Sequence, residues 1–173
     1  AMASDIAELI RDVANGPVHL IGHSMGGKAS MVLTLSQDAD LVADLVVVDI
    51  APVTYDHDYT GYISAMKSVD FDAVSRRAEV EDALVSGVSE KGVRQFLAQN
   101  VTTDKETGKM SWQVNIDAMA NHLSDITGWP ETVGGSFDRD VLFISGANSH
   151  YVDPKDRDHI KSLFPKAAFT SIK

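Results

Sequence analysis

The 173-residue chain is predicted to fold as an α/β protein with a mostly parallel sheet, on three features of the sequence. Short apolar runs rich in β-branched residues recur at 18–21, 45–50 and 141–144, the pattern of parallel strands buried on both faces. Segments with apolar residues at helical spacing separate them. The first run stops at Gly22-His23-Ser24-Met25-Gly26, and the helical period resumes at once.

Taken in order, Ile6, Leu9, Ile10 and Val13 form one stripe of a short helix, with Ser4 placed to cap it and Asn15-Gly16-Pro17 to stop it. That helix feeds the strand at 18–21. Ala29, Val32 and Leu33 share a face of the helix after Ser24, a loop follows near 37–40, and Ala51-Pro52 closes the strand at 45–50. The next section lacks strand-like runs, and helical stripes recur instead: Tyr59, Tyr62, Ile63 and Met66, then Val93, Phe96, Leu97 and Val101, then Ile116, Met119, Ala120 and Leu123. Ser89 and Asn115 are placed as caps. Residues 102–114, around Glu106-Thr107-Gly108, fit either a small hairpin or a loop. A helical cap, residues 55–135, is therefore expected between two pieces of α/β core, 1–54 and 136–173. The core resumes at 141–144 and stops at Gly146. Asp153-Pro154 then caps a helix whose inner face is Ile160, Leu163 and Phe164, and 167–172 begins a last strand.

Composition removes several classes of function. A formal net charge of −10 lacks the basic face that nucleic-acid binding requires. With no cysteine there is no disulfide, thiol nucleophile or thiolate metal site. No apolar run approaches the roughly 20 residues of a membrane span, and no basic-then-apolar leader opens the sequence, so a cytoplasmic setting is expected.

In its strand-to-helix setting, Gly22 to Gly26 has the G-x-S-x-G spacing of a nucleophile elbow. A serine at such an apex is held in a strained backbone, and side chains two residues before and after it are expected to collide, hence glycine at 22 and 26. Ser24 is the candidate nucleophile. The Met25 N–H, at the head of the following helix, is the candidate oxyanion-hole donor. A structural turn serine is the competing reading.

Over essentially its whole length the chain resembles the α/β-hydrolase superfamily. The resemblance is carried by Gly22-His23-Ser24-Met25-Gly26-Gly27, Val47-Val48-Asp49-Ile50-Ala51-Pro52, Arg94-Gln95-Phe96-Leu97, Trp112-Gln113-Val114-Asn115 and Gly146-Ala147-Asn148-Ser149. The second and last of these make it most similar to the branch of small bacterial carboxylesterases and acyl-thioesterases that includes abhydrolase domain-containing protein eleven. That resemblance implies a triad in the order Ser, acid, His. Many members place the acid about three residues beyond a glycine after the cap, where this chain has Ser149. Asp49 matches the position the branch uses instead, at the C-terminal end of a strand, where parallel sheets gather site residues. Its competing reading is a cap for the Ala51-Pro52 turn. Asp153 is a weaker candidate acid, since Pro154 marks it as a helix cap.

The histidines offer no base. His19 is expected in the core, His23 pointing away from Ser24, His122, His150 and His159 on surfaces, and Asp56-His57-Asp58 in a solvated loop with no metal. The superfamily's histidine follows the last strand, whereas this chain ends inside that strand and has one helix before the elbow. It is expected to be the interior of a larger protein, truncated at both ends, with the histidine and the second oxyanion donor outside it. The implied function is a serine hydrolase cleaving small to medium acyl esters or thioesters, of acyl-CoA type, through an acyl-enzyme, with no cofactor. The cap stripes are expected to line an acyl pocket or to form the cap's own core. A carbon–carbon bond hydrolase and a non-catalytic binding protein with an incomplete triad are the alternatives.

Overall fold

The computed structural model describes residues 2–56 and 58–173. The chain opens with α1 (Met2–Val13), β1 (Val18–His23), α2 (Met25–Thr34) and β2 (Val42–Val48). Then come α3 (Thr60–Lys67), α4 (Arg77–Ala83), α5 (Lys91–Ala98), β3 (Val101–Thr103), β4 (Met110–Trp112), α6 (Ile116–Asn121) and α7 (Leu123–Thr127). It finishes with β5 (Val141–Gly146), α8 (Arg157–Leu163) and β6 (Ala167–Ile172). Two units result, one of residues up to Tyr55 with Thr127–Lys173, the other Asp56–Ile126. Residues 127–135, expected with the cap, group with the first unit. The Tyr55 N–H donates to the Thr127 carbonyl at 3.1 Å, and the Trp129 N–H donates to Thr54 Oγ1 at 3.0 Å.

In the first unit the four strands pair in the order β1-β2-β5-β6, all parallel. Val42, Leu45, Val47, Val141 and Phe143 bury one face of this sheet, and Ala7, Ile10, Met31, Leu33, Ile160, Leu163 and Phe164 of the helical segments join them in one core. Phe143 meets Phe164 edge-on at 6.0 Å and stacks on Phe169 at 5.4 Å. Burial on both faces was expected; along β2 and β5 buried residues alternate with half-buried ones, the buried ones joining the core. On β1 that alternation turns Ile21, 70% exposed, to the other face.

Helix α1 starts at Met2, so Ser4 lies inside it and is not its cap. Ala7 and Ile10 are buried in the core and Ala3 and Ile6 pack against it, while Leu9 and Val13 are exposed. Strand β2 begins three residues earlier than the apolar run, at Val42, and stops at Val48, one residue before the chain turns sharply at Asp49.

The second unit has its own core of Ile63, Met66, Val80, Leu84, Val88, Val101 and Ile116, with Tyr62, Val93, Leu97 and Met119 packed on it. Most residues of the helical stripes lie in this unit's interior; Tyr59, Phe96 and Leu123 are outside that cluster, and Phe96 is 65% exposed. Residues 101–112 settle as a hairpin, β3 against β4. The Asp104 carboxylate shapes its turn by accepting the Glu106 and Thr107 N–H groups, and Gly108 takes the positive φ that closes it. Asn115 caps α6 as expected, its Oδ1 accepting the Ala118 N–H at 3.0 Å. Ser89 does not cap α5, whose N-cap is Glu90. Helix α4 has no counterpart in the periodicity. Its start is stabilised by Glu79, which accepts the Ser75 and Arg76 N–H groups and pairs with the Arg76 guanidinium. Among the described residues no helix is long and apolar enough to cross a membrane.

Candidate active site

β1 and β2 run side by side in register, His23 opposite Val48, so the next residue of each strand, Ser24 and Asp49, leaves the sheet at the same level. The Ser24 N–H donates to the Val48 carbonyl at 3.0 Å, fastening the two exits together. Ser24 takes φ 51° and ψ −122°, and Asp49 takes φ 56°. These are the non-glycine residues at positive φ among the described residues. Such backbones cost about 1–3 kcal/mol each and persist where the surroundings enforce them. At Ser24 the enforcement comes from a strand that becomes a helix within one residue.

The glycines around the serine have unequal roles. A Cβ on Gly22 would lie 2.7 Å from the Gly26 carbonyl oxygen, the Gly27 Cα and the Ser30 Oγ. A Cβ on Gly27 would lie 2.6 Å from the Ile50 side chain and 3.0 Å from the Gly22 carbonyl oxygen. At Gly26 a Cβ would meet nothing within 4 Å. The collision expected at 22 and 26 is therefore at 22 and 27, where strand and helix touch.

Ser24 is exposed and heads α2. The N–H groups of that first turn, Met25 included, precede any helical acceptor and point with the positive end of the helix dipole. Asp49 is half-buried and held from the next strand, its N–H donating to the Ile144 carbonyl at 2.7 Å and its Oδ1 accepting the Gly146 N–H at 3.3 Å. The carboxylate is thus aimed by two strands. Asp153 is engaged otherwise, accepting the Lys155 N–H at 2.9 Å as a helix cap, and that bond holds its pKa below the usual carboxylate value. Ser149 closes a turn, its Oγ accepting the Tyr151 N–H at 3.2 Å.

His19, expected in the core, is exposed, and its Nδ1 lies 2.6 Å from Asp44 Oδ2 on the adjacent strand. The alternation of β1 puts it on the face opposite Val18 and Leu20. His122 pairs with Asp125 at the break between α6 and α7, and His159 Nε2 is 3.1 Å from the Pro52 carbonyl. His23 and His150 are exposed, and His57 lies outside the described residues. Among the described residues no three histidine or acidic side chains are placed to share a metal ion.

Two site-proximal residues escaped the sequence reasoning. Lys28, on α2, is 7% exposed, its Nζ donates to the Thr127 and Gly128 carbonyls, and it lies 4.8 Å above the Tyr55 ring. Burial lowers its pKa to about 8. The Tyr55 hydroxyl accepts the Ala51 N–H at 2.8 Å and donates to the Tyr151 carbonyl, and burial pushes its pKa up to about 12. The available signal was a lysine beside Ala29, Val32 and Leu33 in an otherwise uncharged helix.

The chain as a whole has known relatives. The family model described as alpha/beta hydrolase fold matches residues 1–173. A Danio rerio protein named sn-1-specific diacylglycerol lipase ABHD11 is 41% identical over 96% of this chain, which spans 53% of that protein's length. Esterase YbfF of Escherichia coli K12 is 32% identical over 96% of this chain and 63% of its own length. Among solved structures, a marine microorganism esterase superposes with a TM-score of 0.90 at 34% identity, over 98% of this chain and 67% of that one. A chain matched end to end by this model, with its parallel sheet and strand–serine–helix turn, belongs to the α/β-hydrolase fold family.

Proposed function

We propose that this chain carries the nucleophile and acid of an ester hydrolase. The observation that carries the reading is the pair of strained residues, Ser24 and Asp49, leaving adjacent parallel strands at one level beside the head of α2. Ser24 Oγ attacks the acyl carbonyl and becomes acylated, the leaving group departs with a proton, and water then releases the acid. A histidine takes and returns the proton, in the Ser, acid, His order of the superfamily's triad. His19 and His159, engaged with Asp44 and the Pro52 carbonyl, are assigned no such part. Asp49 orients that histidine and offsets its charge. The Met25 N–H supports the oxyanion, an interaction strongest in the tetrahedral intermediate.

The names of the relatives, a diacylglycerol lipase and an esterase, favour an oxygen ester over other chemistries of the fold. Small to medium acyl esters are the proposed substrates, with acyl-CoA thioesters as the alternative leaving group. A panel of p-nitrophenyl esters, acyl-CoA thioesters and a diacylglycerol, given to the native protein and to Ser24→Ala, tests this. One serine should react with a fluorophosphonate in the native protein. Ser24→Ala should lose both labelling and turnover, and labelling that survives the substitution refutes the assignment.

A further inference from the structure

We infer that Lys28 is a positioning residue for the Ser24–Asp49 pair, tying the helix that carries the serine to the loop that follows the acid by way of Tyr55. The inference rests on the hydrolase reading above. Its physical chain is short. The Lys28 N–H donates to the Ser24 carbonyl at 3.1 Å, so the lysine sits one turn behind the strained serine on the same helix. Its Nζ reaches sideways to the Thr127 and Gly128 carbonyls at 2.5 and 2.7 Å and lies over the Tyr55 ring. The Tyr55 hydroxyl in turn holds the Ala51 N–H, two residues after Asp49, and the Tyr151 carbonyl, two residues after Ser149. Serine helix, acid loop and the loop after β5 thus meet at one phenol and one ammonium.

The arrangement is not explained as a stabilising device. An ammonium buried beneath the surface, its pKa lowered by that burial, is held at the expense of stability. The contact over the ring also needs the charge, since an aromatic face attracts a cation and not a neutral amine. The titratable groups around this contact are Tyr55 itself, Tyr151, Asp49 and Asp156, the last three acting on the Tyr55 phenol, and His159 at the Pro52 carbonyl. Tyr55 stays neutral well above pH 8. Loss of the Lys28 proton is therefore the event that slackens the tie as pH rises.

The test is steady-state hydrolysis of a p-nitrophenyl ester by the native protein and by Lys28→Met, Lys28→Arg and Tyr55→Phe, from pH 6.5 to about 10. Misplacing reacting groups by a fraction of an ångström lowers kcat more than it weakens binding. Lys28→Met should lose roughly 10- to 100-fold in kcat with KM within about threefold, and Tyr55→Phe should lose less in the same sense. The native kcat should fall on the alkaline side near pH 8, and that limb should vanish in Lys28→Arg, which keeps its charge. Native kcat in Lys28→Met, or an unchanged alkaline limb in Lys28→Arg, overturns the inference. Should both lysine variants fail to fold, a native kcat that stays level to pH 10, or a Tyr55→Phe with native kcat, overturns it equally. An inactive native protein whose Ser24 resists fluorophosphonate strikes the hydrolase reading and this inference together, whereas an active one with an indifferent Lys28→Met strikes this inference alone.

Discussion

Gly22→Ala and Gly26→Ala differ sharply in their expected effects, although the motif treats the two glycines alike. At Gly22 the added methyl would stand 2.7 Å from two backbone atoms and the Ser30 hydroxyl oxygen. Ordinary contact begins near 3.4 Å, so the start of α2 must retreat by about 0.7 Å from β1. Overpacking of this kind costs about 1–3 kcal/mol, which for a protein of this size lowers Tm by roughly 2–12 °C. Because the retreating segment carries Ser24 and the Met25 N–H, kcat for a p-nitrophenyl ester should fall by on the order of 10²-fold, the effect of ångström-scale misplacement. At Gly26 the methyl meets nothing within 4 Å and the residue lies inside a helix, where alanine is favoured by roughly 0.5–1 kcal/mol. Gly26→Ala should melt at the native temperature or slightly above it. Gly27→Ala should resemble Gly22→Ala, since its methyl would strike Ile50 at 2.6 Å. Differential scanning calorimetry with steady-state kinetics on the three variants decides the matter. Equal damage at 22 and 26, or a Gly22→Ala that keeps native Tm and turnover, refutes the reasoning.

Asp49→Asn should lower kcat by up to about 10⁴-fold with little change in Tm, the effect of removing a triad acid while keeping its shape, whereas Asp153→Asn should leave kcat within a few-fold. Reversed penalties would show that the acid has been misassigned. Lys28 gives a pH-dependent stability of defined sign: its pKa is about 8 when folded against 10.5 ordinarily, so between those values the unfolded chain holds the proton and the folded one has released it. The burial penalty is complete below pH 8 and relieved as pH rises to 10.5. Melting curves of the native protein and Lys28→Met from pH 7 to 10 should show the difference moving in favour of the native protein, and a difference that moves the other way refutes this.

Sequence reasoning succeeded where the determinants were local. The apolar runs marked β1, β2 and β5, and a serine between a strand and a helix specified an apex that the backbone angles of Ser24 bear out. Asp49 is proposed from a resemblance and a rule about strand ends, and its positive φ and the Gly146 N–H on its carboxylate are geometry that no local pattern encodes. Errors arose where a residue's state depends on distant partners. His19 lies within the hydrophobic run of β1 but faces away from Val18 and Leu20, which pack on the core, a matter of sheet alternation. Gly27 is required most by Ile50, 23 positions on, and then by the Gly22 carbonyl oxygen at 3.0 Å. Helix α4 is specified by Glu79 reaching back to Ser75 and Arg76, a cap signal too weak to stand out without an apolar stripe.

Lys28 shows why such residues are invisible to pattern and yet informative in space. Its partners lie at positions 55, 127 and 128, so nothing within a helical turn betrays them. The same position is unfavourable by any local criterion: a charge on the buried side of a helix, with a proton it holds less firmly than a free lysine does. A methionine there would satisfy the apolar period of α2 and remove the burial penalty, but it would take the ammonium away from the Thr127 and Gly128 carbonyls and from the Tyr55 ring. Those lost contacts join the serine's helix to the acid's loop, and stability and catalytic geometry therefore pull this position in opposite directions. On the pH scale they separate: raising the pH through 8 relieves the first and loosens the second, so stability attributable to Lys28 should rise while kcat falls. A purely structural lysine would let the two move together.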